Sequence, residues 1–266
     1  MIQKIDIHLH PIAGDSKMEK YLRIMDKHNV VAGLVHGFPE EGWDWGKDMP
    51  NPNEAVVEAV KAHPQRFFGT VAVDFSKGVD KALDLIKKYG DKGLIGIKLF
   101  PNVGFDPNDD QYEPIWQVVE KRKMLVFSHC GWILPNSKNP SMRLESVDGA
   151  SPFHFEVPAR RHAGINFIFA HFGGGATYLE TLVLTSRLKN AFADTCPGWG
   201  RWVFENDMPG LKSMFRTQLM YGTDNAGEQY GLDDDWWSEK LTSLGFTYGD
   251  IHLYFYENAK KILKIQ

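Results

Sequence analysis

The sequence has few cysteines, no long apolar run and no cluster of basic residues. Only Cys130 and Cys196 are present among 266 residues, which excludes a disulfide scaffold and favours a reducing, cytoplasmic setting. No apolar stretch approaches the ~20 residues of a membrane helix, and the first residues show no signal-peptide pattern. Because the net charge is -4 and the basic residues are scattered, neither nucleic acid nor an anionic membrane is predicted as a partner.

Short apolar runs alternate with longer amphipathic stretches along the chain. Eight strands alternating with helices are typical of an α/β protein with a (β/α)8 TIM barrel, predicted here as one domain over 1–266. No G-x-G-x-x-G follows the first strand, which argues against an open doubly wound sheet. Gly90 is predicted to cap the third helix. The predicted strands are 4–9, 30–36, 67–73, 93–100, 124–129, 166–171, 191–195 and 218–223, and the predicted helices are 17–28, 53–63, 78–89, 112–122, 151–163, 177–189, 201–215, 233–244 and 251–265.

The first strand carries the pattern Asp6-x-His8-x-His10, with apolar residues at the alternate positions. Since successive side chains of a strand point to opposite faces, the polar set is predicted to face the barrel axis and the apolar set the helices. Buried polar groups are costly unless they are paired or bound. A metal is the simplest compensation, because imidazoles at i and i+2 can reach one ion. Taken alone, this motif is also compatible with two histidines that bind no metal and are hydrogen-bonded within the core.

Three further strands end their apolar runs in a side chain that can bind a metal. Strand five ends at His129, strand six at His171 and strand eight at Asp224. Catalytic residues of (β/α)8 barrels lie at the carboxyl ends of several strands. The convergence of four such strand ends therefore predicts a metal-binding active site.

Lys98 lies near the inner face at the end of strand four. A substrate-binding or structural role is favoured for it. One alternative is a buried ion pair with a carboxylate such as Asp6 or Asp74, and another is a carbamylated bridge between two metals.

Further candidates for substrate contacts lie in and near the loops that follow the strands. Arg201 can reach the mouth after strand seven and bind a carboxylate, although an i,i+4 pair with Glu205 on a helix surface is favoured. His154 and Trp132 are the other candidate substrate-binding residues.

The ordered set of motifs resembles the amidohydrolase superfamily, in the amidohydrolase-related branch that includes aminocarboxymuconate-semialdehyde decarboxylase and 2-pyrone-4,6-dicarboxylate lactonase. The resemblance implies one zinc held by His8, His10, His129 and Asp224, with His171 beside it as a general acid or base, or as an extra ligand. A second metal bridged by Lys98 stays an open alternative. The resemblance rests on Asp6-x-His8-x-His10, Gly96-Ile97-Lys98-Leu99, His129, Ala170-His171-Phe172-Gly173-Gly174, Gly222-Thr223-Asp224 and the tail Phe255-Tyr256-Glu257-Asn258-Ala259-Lys260-Lys261-Ile262-Leu263.

The predicted chemistry is metal-dependent hydrolysis of a small amide, lactone or ester, with a carboxylate-bearing substrate as one option. Asp224 is expected to take a proton from the zinc-activated water, and His171 to hydrogen-bond the oxyanion or protonate the leaving group. The same residues are compatible with zinc-dependent decarboxylation of a small carboxylic acid. A catalytically inactive ligand-binding barrel is the third hypothesis, and a homodimer is left open.

Overall fold

The computed structural model describes residues 2–39, 51–131, 148–196, 199–206, 217–224 and 232–265. Its eight strands are parallel to their neighbours and follow one another in chain order around a single sheet. They are β1 (Lys4–Leu9), β2 (Val30–His36), β3 (Phe67–Ala72), β4 (Gly96–Leu99), β5 (Leu125–Ser128), β6 (Phe167–Phe169), β7 (Ala191–Asp194) and β8 (Leu219–Met220).

Backbone hydrogen bonds join the first strand to the segment that follows the last one. The N–H of Ile7 donates to the Tyr221 carbonyl at 3.1 Å, and the N–H of Asp224 donates to the His8 carbonyl at 2.8 Å. These bonds close the sheet into a barrel, and the predicted (β/α)8 fold is confirmed.

Helices connect the strands and cover the sheet. Short 3-10 segments and one π segment, Leu253–Glu257, occur among them. In the described parts of the chain, no helix combines the length and the apolar character needed to cross a bilayer. The α-helices are α1 (Glu19–Lys27), α2 (Pro52–Ala62), α3 (Val79–Gly90), α4 (Glu113–Lys121), α5 (Glu156–Arg161), α6 (Tyr178–Arg187), α7 (Trp199–Glu205), α8 (Leu232–Ser243), α9 (Tyr248–His252) and α10 (Asn258–Leu263).

The apolar residues of the strands form two main clusters. Inward-facing residues of several strands pack together with α10, while the alternate residues of the same strands pack against the surrounding helices. Parallel strands that are covered on both faces need apolar residues on both, which explains their nearly continuous apolar runs. The inner cluster contains Ile5, Ile7, Ala32, Leu34, Leu125, Phe127, Ile168, Ala170, Phe192, Met220, Ala259, Ile262 and Leu263.

The last helix lies at the amino-terminal end of the barrel. Asn258 donates a hydrogen bond to the carbonyl of Leu219, in the short strand β8, at 2.9 Å. Ile262 and Leu263 line a cavity of about 720 Å³ together with residues at the starts of β4, β5 and β6. This cavity is therefore at the end opposite to the carboxyl ends of the strands.

The side chains of β1 do not follow the predicted strict alternation. Ile5 and Ile7 belong to the inner cluster, whereas Leu9 belongs to the outer one. The pairing of β1 with β2 shifts register between Asp6 and Leu9, and the Asp6 carboxylate accepts the N–H of His8 at 3.0 Å. The prediction that all apolar residues of this strand face the helices is wrong, because the register shift changes which side chains point inward.

Two predicted helix features also differ. Gly90 is the last residue of α3 rather than its cap, and the left-handed backbone falls at Gly93, where φ is +98°. The predicted helix 151–163 is divided into a 3-10 turn, Pro152–Phe155, and the short α5.

Candidate active site

The carboxyl ends of four strands bring together four histidines and a carboxylate. His8 lies near the end of β1, with His10 just beyond it. His129 follows β5, His171 lies in a 3-10 turn after β6, and Asp224 follows β8. The strand-end interpretation of the sequence is consistent with this placement, since all five predicted residues face the same mouth.

The tightest group consists of two histidines and one carboxylate. Nε2 of His8 and Nε2 of His10 each lie 3.2 Å from Oδ1 of Asp224. Asp224 keeps 29% of its side chain exposed, so a small molecule can approach it from the mouth. Its backbone has φ +51° and that of His171 has φ +56°, a conformation that non-glycine residues rarely adopt and that often occurs at functional sites.

Hydrogen bonds on the far side of both rings fix how they are oriented. Nδ1 of His8 lies 2.7 Å from Oδ2 of Asp194, and Nδ1 of His10 lies 3.0 Å from the carbonyl oxygen of His36. Both acceptors require a proton on Nδ1, which leaves the Nε2 lone pairs pointing at Asp224. Partners of this kind orient and strengthen metal-binding histidines.

Asp194, at the end of β7, was missed as a site residue in the sequence. It is fully buried, and its Oδ1 accepts the N–H of His171 at 2.7 Å and that of Cys196 at 3.2 Å. The signal was present, because Asp194 ends an apolar run just as His129 and Asp224 do.

A second group of side chains surrounds His171. Its Nδ1 lies 2.8 Å from Sγ of Cys196, and its Nε2 lies 3.2 Å from Nδ1 of His129 and 3.8 Å from Oδ2 of Asp224. Nε2 of His129 is buried and has no hydrogen-bond partner in the described structure. Sequence reasoning also missed Cys196, since its role depends on the contact between β6 and β7.

Burial and neighbouring charges shift the protonation of these groups. Burial lowers the pKa of His8 to about 4, with Asp224 opposing the shift, and burial also lowers the pKa values of His129 and His171. Burial alone would raise the pKa of Asp224, but the nearby histidines, His8 first, hold it well below its usual value. Neutral imidazoles beside an ionised carboxylate are the protonation states that a metal site needs.

Lys98 lies within the same mouth. It is fully buried, its Nζ is 3.3 Å from Nε2 of His8, and it lies over the rings of Phe127 and Phe100 at 4.3 and 5.0 Å. Burial lowers the pKa of this lysine to about 8, although Asp224 opposes the shift. Lys98 is thus a cation in an apolar and histidine-lined setting.

The alternative pairing of Lys98 with Asp6 or Asp74 is not found. The Asp6 carboxylate accepts both the N–H and the hydroxyl of Thr223, at 3.1 and 2.5 Å, and Asp74 accepts two hydrogen bonds from Ser76. Within the described ranges, Lys98 forms no salt bridge with any carboxylate.

The remaining predicted substrate contacts are not part of this group. Nδ1 of His154 lies 2.7 Å from Asp106. Arg201 donates to Glu205 at 2.8 Å, the helix-surface pair that the sequence favours. Trp132 lies outside the described residues.

The chemistry of the donors fits a divalent cation. His8, His10 and Asp224 offer three ligand atoms close to one another, and His8, His171 and Cys196 form a second such group. Two imidazole lone pairs directed at one carboxylate oxygen repel each other unless a cation lies among them. The partnerless Nε2 of His129 is a fourth available lone pair.

The fold and this mouth define a (β/α)8 barrel with a histidine–carboxylate site that can bind a metal. The sequence model of the family described as amidohydrolase matches residues 5–265, and the chain belongs to that family. No curated protein matches the chain significantly.

Solved structures with the same fold include several enzymes. A 2,6-dihydroxybenzoate decarboxylase from Rhizobium is 16% identical, with a TM-score of 0.68 over 100% of this chain and 99% of that one. A provisional 2-pyrone-4,6-dicarboxylic acid hydrolase from Pseudomonas putida is 16% identical, with a TM-score of 0.64 over 99% and 98%. A 5-carboxyvanillate decarboxylase from Novosphingobium aromaticivorans, complexed with manganese and 4-hydroxy-3-methoxy-5-nitrobenzoic acid, is 14% identical, with a TM-score of 0.63 over 93% and 80%. At these identities the likeness establishes the fold alone.

Proposed function

We propose that the protein is a metal-dependent hydrolase of a small lactone, ester or amide that carries a carboxylate. The observation that carries the proposal is the convergence of His8 Nε2 and His10 Nε2 on Oδ1 of Asp224, each at 3.2 Å. Such a set has little structural value without a cation, and it lies at the barrel end where catalysis occurs in this fold.

The proposed ligands are His8, His10, Asp224 and the free Nε2 of His129. A bound divalent ion polarises a substrate carbonyl and makes water a better nucleophile at neutral pH. Three imidazoles and one carboxylate suit zinc, which we propose at one ion per chain. The 5-carboxyvanillate decarboxylase with the same fold is complexed with manganese, which supports a divalent ion in this barrel. A second ion bridged by a carbamylated Lys98 is the alternative.

The protein side chains supply the proton transfers. Asp224 is partly exposed and ionised, so it accepts the proton of the attacking water. Its Oδ2 lies 3.8 Å from Nε2 of His171, which can take that proton when its hydrogen bond with Nδ1 of His129 breaks and deliver it to the leaving group. The lowered pKa of His171 favours giving the proton away again.

The proposed contact for the substrate carboxylate is Lys98. A buried ammonium without a carboxylate partner in the described structure gains most from an anionic ligand, because its attraction is poorly screened. Contacts with Arg201 or His154 would require breaking their pairs with Glu205 and Asp106, so we rank them below Lys98.

Decarboxylation of a small carboxylic acid is the second candidate. It is favoured by the position of Lys98, whose Nζ lies 3.3 Å from Nε2 of His8, so that a substrate carboxylate bound to Lys98 would lie beside the metal ligands. Two of the related folds described above are decarboxylases. In that reaction His171 would donate a proton to the substrate carbon that loses carbon dioxide.

The first experiment measures the metal content of protein purified without chelator or added metal. We expect about one zinc per chain, lost in a His8→Ala/His10→Ala double variant and kept in His63→Ala, at a histidine whose ring pairs with Glu19 and contacts Phe67. Metal-free protein with native circular dichroism would contradict the proposal. Ring opening of lactones against release of carbon dioxide then separates the two reactions.

The single-domain organisation over 1–266, the cytoplasmic location and a homodimer stay predictions. Size-exclusion chromatography with light scattering checks the last of them.

A further inference from the structure

Cys196 is a buried thiol that the proposed reaction does not use. It follows β7, it is fully buried, and its Sγ lies 2.8 Å from Nδ1 of His171. The other ring nitrogen of His171, Nε2, lies 3.2 Å from Nδ1 of His129. The thiol and the two imidazoles therefore form a continuous chain of hydrogen-bonding groups that runs from β7 to β5.

We propose that Cys196 is a positioning residue, which holds His171 in its Nδ1–H tautomer and thereby keeps Nε2 of His129 free to bind the metal. The inference deepens the proposed function and depends on it for the assignment of His129 as a ligand. The direction of each hydrogen bond in the chain follows from its two ends.

The first end is His129. Only one proton can lie between Nδ1 of His129 and Nε2 of His171. If His171 supplied that proton, neutral His129 would carry its own on Nε2, a buried donor without an acceptor in the described structure. If His129 supplies it, its Nε2 keeps the lone pair that a metal needs, and the proton of His171 is on Nδ1, facing Cys196.

The second end is Asp194. Its carboxylate accepts hydrogen bonds from Nδ1 of His8 at 2.7 Å, the N–H of His171 at 2.7 Å and the N–H of Cys196 at 3.2 Å, so it acts as an acceptor throughout. The backbone N–H of Cys196 is thus tied to this carboxylate, which holds its side chain against the ring of His171. Sγ, 2.8 Å from Nδ1 of His171, is then the acceptor for the Nδ1–H.

Both ends give the same order of donors. His129 donates to His171, His171 donates to Sγ of Cys196, and the backbone N–H of Cys196 donates to the carboxylate that also holds His8. Nδ1 thus carries the proton in His8, in His129 and, through the carbonyl of His36, in His10. Every proposed imidazole ligand presents Nε2 without a proton, and Cys196 is the step that links the His129 side of the site to Asp194.

The test records the histidine tautomers of the metal-free protein, labelled with 15N-histidine, by long-range 1H–15N correlation. The signals are assigned with His129→Gln and His171→Gln. We expect Nδ1–H for both histidines in the wild type. In Cys196→Ala, His171 should gain an Nε2–H population, His129 should change with it, and metal affinity measured by chelator competition should fall about 10- to 100-fold.

Two variants separate positioning from loss of packing. Cys196→Ser keeps a side-chain group that can accept from His171, so it should restore the wild-type tautomers. Cys130→Ala removes a thiol that is equally buried but bonds the Ser128 carbonyl instead of an imidazole, and it should leave the tautomers unchanged.

Nε2–H on His171 in the wild type overturns the inference, and so do unchanged tautomers in Cys196→Ala. If Cys196→Ala does not fold, the wild-type and Cys196→Ser spectra decide. Tautomers that behave as expected in a protein that turns over no substrate would support the positioning role and contradict the proposed hydrolase, because the spectra are recorded without metal or substrate.

Discussion

The two ends of the barrel use burial in opposite ways. At the amino-terminal end, Ile5 from β1 packs with Ile262 and Leu263 of α10 in an apolar cluster. At the carboxyl-terminal mouth, Lys98 and Asp194 are fully buried although both can carry a charge. One end thus contributes apolar burial, and the other concentrates polar groups whose burial opposes folding unless each has a partner.

This difference indicates which substitutions should change the free energy of unfolding and which should change metal binding and the reaction rate. Most buried polar groups at the mouth have partners within 3.3 Å, so their desolvation is largely offset. One exception among the described residues is Nε2 of His129, whose partner we propose to be the metal. Changes at the mouth should therefore act on metal binding and rate, whereas changes at the apolar end should act on the free energy of unfolding.

The largest expected effect is that of Asp224→Asn at the mouth. An amide cannot accept the water proton as a carboxylate does, so we expect kcat to fall about 10²- to 10⁴-fold. His8, His10 and His129 remain as ligands, so we expect the metal content to fall less than kcat. Elemental analysis and steady-state kinetics measure both, and Glu19→Gln, at a surface carboxylate paired with a histidine, is the control. Full metal content with a wild-type rate would remove Asp224 from the mechanism.

At the opposite end, Ile262→Ala should leave the chemistry intact. Truncation of a buried isoleucine removes apolar contacts and leaves a cavity, so the free energy of unfolding should fall by about 2–4 kcal/mol. Urea denaturation measures the loss, and metal content and kcat should stay at wild-type values. If metal is lost while stability is kept, the two ends are not independent in the way proposed here.

Much of this arrangement could be predicted because strand ends are marked in the sequence. β1 and β2 have the predicted bounds, since polar residues or turns bracket their apolar runs. His129, His171 and Asp224 each end such a run, and the barrel topology brings these ends together. Family resemblance added the proposed ligand roles, which the geometry alone does not assign.

The remainder depends on contacts that a linear pattern does not contain. Alternation in β1 fails because the Asp6 carboxylate takes the N–H of His8, where the pairing with β2 shifts register. β8 is shorter than predicted, as the segment after Met220 bonds β1 and the last helices instead of continuing the ladder. The role of Cys196 appears only when β6 and β7 are adjacent.

A smaller effect is expected for Asp194→Asn, behind the metal ligands. The carboxylate offers one oxygen to Nδ1 of His8 and the other to the N–H of His171, whereas an amide has only one acceptor oxygen. The hydrogen bond that orients the His8 ring is therefore weakened. Metal affinity should fall about 10- to 100-fold, as measured by chelator competition. Thr195→Val, at the residue that follows the same strand, is the matched control, because the Thr195 hydroxyl bonds Tyr254 rather than the site. Equal affinities in wild type and Asp194→Asn would show that the carboxylate does not tune His8.

The smallest effect is expected for Arg201→Ala, which tests whether the polar mouth extends onto α7. Arg201 pairs with Glu205 along the helix and lies over the ring of Trp236 at 4.4 Å, with 35% of its side chain exposed. Both contacts are screened by solvent, so the free energy of unfolding should change by about 1 kcal/mol or less. KM should stay constant if Lys98 alone binds the substrate carboxylate. A tenfold rise in KM with constant kcat would instead show that Arg201 leaves Glu205 for the substrate, and the functional end of the barrel would then include this helix.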